Sequence, residues 1–293
     1  PGVVWVMGVT IIGCGDIGTR LALAYQQSAL EVTGWVASDG SVERLKQQGI
    51  RALQMDLDRT SLQSPSLAGE SLFYFAPPPA SGVEDSRVRR LIALLDQTDV
   101  PQKVVYLSTS GVYGDCQGEW VDETRQPHPT VDRAKRRLDA EQQWQRYCRQ
   151  RGVPLVILRV AGIYGPGKLP IERLRKGLPM VAETDAPITN HIHSLDLVEI
   201  AAAAMERGQD GAIFNVCDGR PESMTRYFDR VADYLELPRA PQITMQEARQ
   251  QLSPGMLSYL AESRRLSNRK LLEELGVELR YPELEQGLPA CFE

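Results

Sequence analysis

Short apolar runs rich in Val, Ile and Leu alternate along this chain with longer segments whose apolar residues recur every three or four positions. The first pattern is that of a buried parallel strand, the second that of a helix turning one face to a core. Strands are expected at 9–12, 31–37, 52–57, 71–76, 103–107, 155–160 and 211–216. Helices are expected at 16–27, with Ile17, Leu21 and Ala24 on one face, at 42–48, at 84–98, with Val88, Leu91, Ile92 and Leu95 inward, and at 132–150. Further helices are expected at 169–177, 196–207, 225–235 and 263–276. Strand–helix alternation of this kind predicts an α/β fold, a doubly wound parallel sheet with a smaller C-terminal annex.

The first strand runs into Gly13-Cys14-Gly15-Asp16-Ile17-Gly18 and then into a helix. Strand, glycine loop and helix in that order present free backbone N–H groups and a helix N-terminus to a diphosphate. Gly13 permits the tight turn, Gly15 lets a pyrophosphate approach the backbone, and Gly18 lets the helix pack close to the strand. A Rossmann-type dinucleotide domain is therefore expected over 1–165, with a return of the chain around 190–220, and a mainly substrate-binding region over 166–293. The second strand ends Val36-Ala37-Ser38-Asp39. Asp39 could hold a ribose 2′-hydroxyl, as in NAD sites, whereas Ser38 with Arg44 could hold a 2′-phosphate, as in NADP sites. The balance leans slightly to NADP; the same residues also read as a turn and helix cap. Asp56 and Leu57 are candidate adenine contacts. Ala76 and Pro77 end a strand on the side of the cofactor crevice.

Composition narrows the classes. At 293 residues, with 42% hydrophobic and 24% charged residues, the chain is an ordinary globular protein. Its net charge of −5 argues against a nucleic-acid surface. The five cysteines, Cys14, Cys116, Cys148, Cys217 and Cys291, form no CxxC pair and read as reduced thiols of a cytoplasmic protein. No apolar run suits a membrane span, and the start PGVVWVMG lacks the basic n-region of a signal peptide.

Chemistry gathers after the fifth strand, in Ser108-Thr109-Ser110-Gly111-Val112-Tyr113-Gly114 and in Lys135 on the following helix. Hydroxyls at a strand end and a lysine on the next helix can converge over a nicotinamide, the one bonding a substrate oxygen and the other the ribose. Arg173, with Arg175 and Lys176, is a candidate for a substrate diphosphate or a solvated helix face. His191 is a candidate substrate contact and His193 a structural group near Asp196. No third ligand stands at metal-binding spacing, so no metal is expected. The segment 142–151 is a candidate helix-pair face of a homodimer.

In order, the glycine loop, YLSTSGVYGD at 106–115, Glu123, Lys135 with its helix, LRVAGIYGPG at 158–167, NHIHSLDL at 190–197 and FNVCDG at 214–219 resemble the extended short-chain dehydrogenase/reductase superfamily, in its NAD-dependent epimerase/dehydratase group. The tail 263–276 with Tyr281-Pro282 is similar to the ends of nucleotide-sugar epimerases. The resemblance implies bound NAD(P), a small-molecule substrate held by a C-terminal domain, and an active site of Ser or Thr, Tyr and Lys. It puts the hydroxyl on Thr109, the lysine on Lys135 and the tyrosine on residue 131, which is Val131 here. The loop is also GxGxxG where extended members carry GxxGxxG. Loss of a general acid–base group typically costs about 10²–10⁴-fold in rate. Tyr113, His128 and Asp132, in that order, are candidates to replace the phenol. Two functions follow: an NAD(P)-dependent oxidoreductase or epimerase of a nucleotide-sugar-like or other small polar substrate, or a non-catalytic NAD(P)-binding sensor. The complete substrate-domain pattern tilts the balance to the enzyme.

Overall fold

The computed structural model describes residues 8–95 and 100–293. The chain divides into two compact units, one of residues 1–112, 132–159 and 197–214, the other of 113–131, 160–196 and 215–293. The division is more interleaved than the expected boundary at 165. Residues 113–131 join the second unit, where Trp120 and Val121 pair with Arg265 and Leu266.

The first unit is built on a seven-stranded parallel sheet. Its strands are β1 (Gly8–Ile12), β2 (Val32–Val36), β3 (Arg51–Gln54), β4 (Glu70–Tyr74), β5 (Lys103–Thr109), β6 (Leu155–Val160) and β7 (Ile213–Val216), in the order β7-β6-β5-β4-β1-β2-β3. The helices between them are α1 (Asp16–Gln27), α2 (Asp39–Gln47), α3 (Ser86–Leu95), α4 (Asp132–Arg151) and α5 (Ser194–Arg207). Every residue of β1 is buried, with Ile12 in register with Trp35 on one side and Tyr74 on the other. Strand order reverses between β1 and β4, and a sheet of this kind opens its ligand crevice at the carboxyl ends beside that point.

Local chemistry explains where the helices begin. The Ser38 hydroxyl accepts from Ser41 N, so α2 starts at Asp39, three residues before the expected start. Asp85 Oδ1 accepts from the N–H groups of Arg87 and Val88 and caps α3. The expected end of α3, at 96–98, lies outside the described residues, as do residues 1–7. Trp144 and Tyr147 of α4 are buried within this unit, Trp144 against Tyr74 at a ring separation of 5.5 Å. The aromatic side chains of the candidate dimer segment 142–151 thus face the unit's own core.

A buried polar group fixes α4 on the sheet. Glu141 is 1% exposed and takes both Arg159 Nε (3.1 Å) and Nη2 (2.8 Å) from β6. The Ser108 hydroxyl of β5 donates to the same carboxylate at 2.6 Å. A buried carboxylate is tolerated only when its lone pairs are met in this way.

The second unit consists of short ribbons and helices. Gly162–Tyr164 pairs in parallel with His191–His193, and Met180–Val181 with Gln242–Ile243. Its core includes Tyr164, Leu174, Met180, Tyr227, Phe228, Val231 and Leu260. The helix expected over 263–276 contracts to Arg269–Glu274. Arg265 N and Ser267 N donate to Glu119 O and Val121 O at 2.9 Å, which commits that backbone to a strand.

Removing one partner of a buried ion pair leaves the other uncompensated. Glu141→Ala is expected to cost about 3–5 kcal/mol of stability, and Ser108→Ala about 1 kcal/mol. Urea unfolding followed by circular dichroism measures both. Equal losses for the two variants would mean that Arg159 finds other solvation.

Candidate active site

The glycine loop has the shape that its sequence requires. Gly13 has φ +83, and a Cβ on it would lie 2.2 Å from Ala76 N, so a side chain is excluded by both conformation and space. Gly13 N and Cys14 N both donate to Trp35 O, at 3.0 and 3.1 Å, and tie the loop to β2. At Gly18 a Cβ would press on Ile11 Cγ2 at 3.0 Å, whereas at Gly15 it would meet nothing within 4 Å. Gly15 is the N-cap of α1 and supplies no side-chain cap, so the positive end of α1 is presented by backbone alone. Ile17 is buried and Asp16 is exposed, paired with Arg20 at 3.2 Å. Cys14 contributes backbone: burial pushes its thiol up to about 11, and its carbonyl oxygen accepts from Arg44 Nη2 at 3.1 Å.

The loop borders a cleft of about 380 Å³ at the switch point. Its walls include Gly13, Gly15, Ala37, Ser41, Arg44, Asp56, Leu57, Asp58, Ala76, Pro77 and Arg87. Of the expected cofactor residues, Ser38 stands just behind this wall as the cap of α2, its hydroxyl 3.1 Å from that of Ser41. Asp39 is the exposed first residue of α2 and is not part of the wall. Ser41, Asp58 and Arg87 were not foreseen. Arg87 holds Asp58 at 2.6 and 2.8 Å and also donates to Pro77 O at 2.9 Å, which braces the end of β4. The Arg87 hydrogen bond keeps the Asp58 carboxyl below its ordinary range. The pair joins residues 29 apart, so no local motif announces it.

At the end of β5 the structure places Arg137, and not Lys135, on the inner stripe of α4. Lys135 is ion-paired with Asp132 at 3.6 Å, with its side chain 43% exposed. The inner stripe of α4 runs instead through Ala134, Glu141, Trp144 and Cys148, all buried, and Arg137 falls on it. Arg137 Nη1 donates to Leu107 O at 2.9 Å. The cation at the strand end is therefore a guanidinium, and the residue one turn before it is Arg133. Thr109, beside it on β5, is half-buried, and its Oγ1 accepts from Gly111 N at 3.1 Å. Ser108 is committed to Glu141 and serves the fold.

Three further candidates turn inward in the second unit. Tyr113 is 1% exposed and its hydroxyl donates to Asn215 Oδ1 at 2.6 Å, so it can neither exchange a proton with a ligand nor touch one. Arg173 donates through Nη2 to Pro179 O at 2.5 Å, and its guanidinium lies 6.0 Å from the centre of the Phe228 ring. His191 stacks on Tyr227 at 3.9 Å, and burial lowers its pKa to about 4, which keeps it neutral. His128 remains exposed. Among the described residues no three His, Cys, Asp or Glu side chains are grouped to hold a metal, and no helix is long and apolar enough to cross a membrane.

Comparison with known proteins agrees with the fold. Residues 86–217 match the NAD dependent epimerase/dehydratase family. Protein YeeZ of Escherichia coli (strain K12) is 27% identical over 289 residues, covering 94% of this chain and 96% of YeeZ. The structure of a conserved protein of unknown function from Silicibacter pomeroyi DSS superposes with a TM-score of 0.82 at 32% identity, over 97% of each chain. UDP-glucuronic acid 4-epimerase from Bacillus cereus, in complex with NAD, shares the fold with a TM-score of 0.75 at 18% identity, over 97% of each chain. By its family match, its full-length relatives and its switch-point cleft, the chain belongs to the NAD dependent epimerase/dehydratase family.

Proposed function

We propose that this protein is an NAD(P)-dependent oxidoreductase or epimerase of a small polar, nucleotide-sugar-like substrate, working in the cytoplasm, where its five free cysteines persist as thiols. The observation that carries the reading is the open space above Gly15, at the bare N-terminus of α1 and beside the cleft. A diphosphate placed there would take backbone N–H groups and the helix dipole together. Asp56 and Leu57 would border the adenine, and Ala76 and Pro77 the middle of the dinucleotide. The 2′-phosphorylated form is favoured, because Arg44 and Ser41 line the wall where an NAD site would carry a carboxylate. When bound, the nicotinamide supplies reversible hydride exchange with a carbinol carbon. Thr109 would orient the substrate oxygen, and Arg137, in place of Lys135, would face the nicotinamide ribose.

A second reading, a non-catalytic NAD(P) sensor, is favoured by one specific observation. Arginines stand on the face of α4 that meets β5, and Tyr113 is engaged by Asn215, so neither supplies a phenol for proton exchange. Chromatography of a panel of nucleotide sugars after incubation with protein and cofactor, together with NADPH oxidation, separates the two readings: a converted sugar supports the enzyme, including an epimerase that consumes no net cofactor, and no conversion supports the sensor.

Two variants test the cofactor assignment by fluorescence titration with NADPH and NADH. A Cβ at Gly15 meets nothing within 4 Å, so Gly15→Asp should be accommodated by the fold while setting a negative charge against the diphosphate. It is expected to weaken both cofactors about 100-fold or more, ~2.7 kcal/mol, with unchanged thermal unfolding. Unaltered affinity would remove the loop from the binding site. Arg44→Gln is expected to weaken NADPH about 10- to 100-fold, with NADH altered less than about twofold. A parallel loss of both would assign Arg44 to the loop rather than to the phosphate.

A further inference from the structure

We propose that Arg87 and Arg90 of α3 are positioning residues for the adenosine half of the cofactor, fixing the cleft wall at residues 56–58 to the end of β4. The sheet by itself leaves these two places unjoined. β3 is an edge strand, and β1 and β2 lie between it and β4, so no ladder of backbone bonds connects their carboxyl ends. Beyond β3, Met55 N donates to Val36 O at 2.8 Å, and the turn that follows closes on itself, Asp56 Oδ1 accepting from Asp58 N at 3.0 Å. β4 runs out into Pro77-Pro78-Pro79, which have no N–H groups to continue a ladder.

Both places are gripped from α3. Arg90 Nη1 donates to Leu57 O at 3.0 Å. Arg87 stands three residues earlier, on the same face of the helix, and uses all three of its guanidinium nitrogens. Nε and Nη2 donate to Asp58 Oδ1 and Oδ2 at 2.8 and 2.6 Å, and Nη1 donates to Pro77 O at 2.9 Å. A bidentate fork of this kind sets direction as well as distance, and a lysine ammonium cannot reproduce it. The helix end that carries the fork is itself fixed, since Asp85 Oδ1 accepts from Arg87 N and Asp85 N donates to Asp139 of α4 at 2.8 Å. The Asp58 side chain is 51% exposed and that of Arg87 25%, so the pair adds little to stability. Its effect lies in what it holds, because Asp56, Leu57, Asp58, Pro77 and Arg87 all line the cleft.

This inference rests on the cofactor reading, and the experiment separates the two. Wild type and variants are titrated with NADPH and NADH, and then with the adenosine half of whichever binds more tightly, adenosine 2′,5′-bisphosphate or ADP. Amide hydrogen exchange over residues 55–58 is measured on the cofactor-free proteins. Arg87→Gln is expected to weaken the whole cofactor and its adenosine half by the same factor, about tenfold or more, and to speed exchange at 55–58. Arg90→Gln should act in the same direction, and Arg87→Lys should keep part of the affinity. Arg89→Gln breaks the bond from α3 to Asp139 but leaves both clamping arginines in place, and should change neither affinity by more than about twofold. Thermal unfolding of the Arg87 variants should shift by no more than about 2–4 °C. Arg90→Gln and Arg87→Lys carry the same comparison if Arg87→Gln fails to fold. Unchanged affinity, or a loss for the whole cofactor without a loss for its adenosine half, overturns the positioning role and leaves the cofactor reading in place. Lost affinity with unchanged exchange also overturns it, since Arg87 would then touch the ligand itself. Failure of wild type to bind either dinucleotide overturns the cofactor reading, and this inference with it.

Discussion

The ion pair of Glu141 with Arg159, with the Ser108 hydroxyl on the same carboxylate, sets the rotation and height of α4 on the sheet. A helix can turn about its axis at little cost while its inner face is only apolar. A buried carboxylate with directional partners on two strands removes that freedom, because any other rotation leaves charges unsolvated. Once Glu141 is placed, the inner stripe of α4 is placed with it. Arg137 then faces the end of β5 and Lys135 faces water. The chemistry available beside Thr109 is thus a consequence of a salt bridge a full turn away.

The opposite side of the crevice is governed by space rather than charge. Gly13 touches the backbone at Ala76 so closely that no side chain fits, and this contact joins the end of β1 to the end of β4. Gly15, two residues on, has open space where a side chain would point. The same short motif therefore contains one glycine required by the fold and one that the fold does not require. The second is the one whose absent side chain speaks for a ligand. Arg44 completes this side, its guanidinium bonded to the loop carbonyl at Cys14 and exposed to the cleft.

Family likeness and site chemistry separate here. The fold follows the epimerase/dehydratase pattern, and the matched segment 86–217 includes the end of β5 and α4. On α4, however, the face toward the sheet carries arginines, and Tyr113 of the VYG sequence supports the second unit through Asn215. A guanidinium bonded at the end of β5 differs in chemistry from a phenol that exchanges a proton with a neutral alcohol.

Sequence alone determined the features that depend on neighbours along the chain. The bounds of α1, the course of β1, the turn at Gly13 and the close packing at Gly18 follow from residue type and spacing, because φ, Cβ volume and apolar period are local properties. The start of α2 lies three residues before the expected one, at the Ser38 cap that the turn-and-cap reading of 38–41 had offered as one alternative. What only the tertiary structure decided are facts of orientation. Which residues of α4 meet the sheet is set by Glu141 meeting Arg159, a contact across 18 residues that helix periodicity does not announce. Tyr113 meets a partner 102 residues away, and Arg87 meets Asp58 across 29. Such contacts depend on which side chains the packed sheet and helices bring within 3 Å, and that distance is not written in the spacing of residues along the chain.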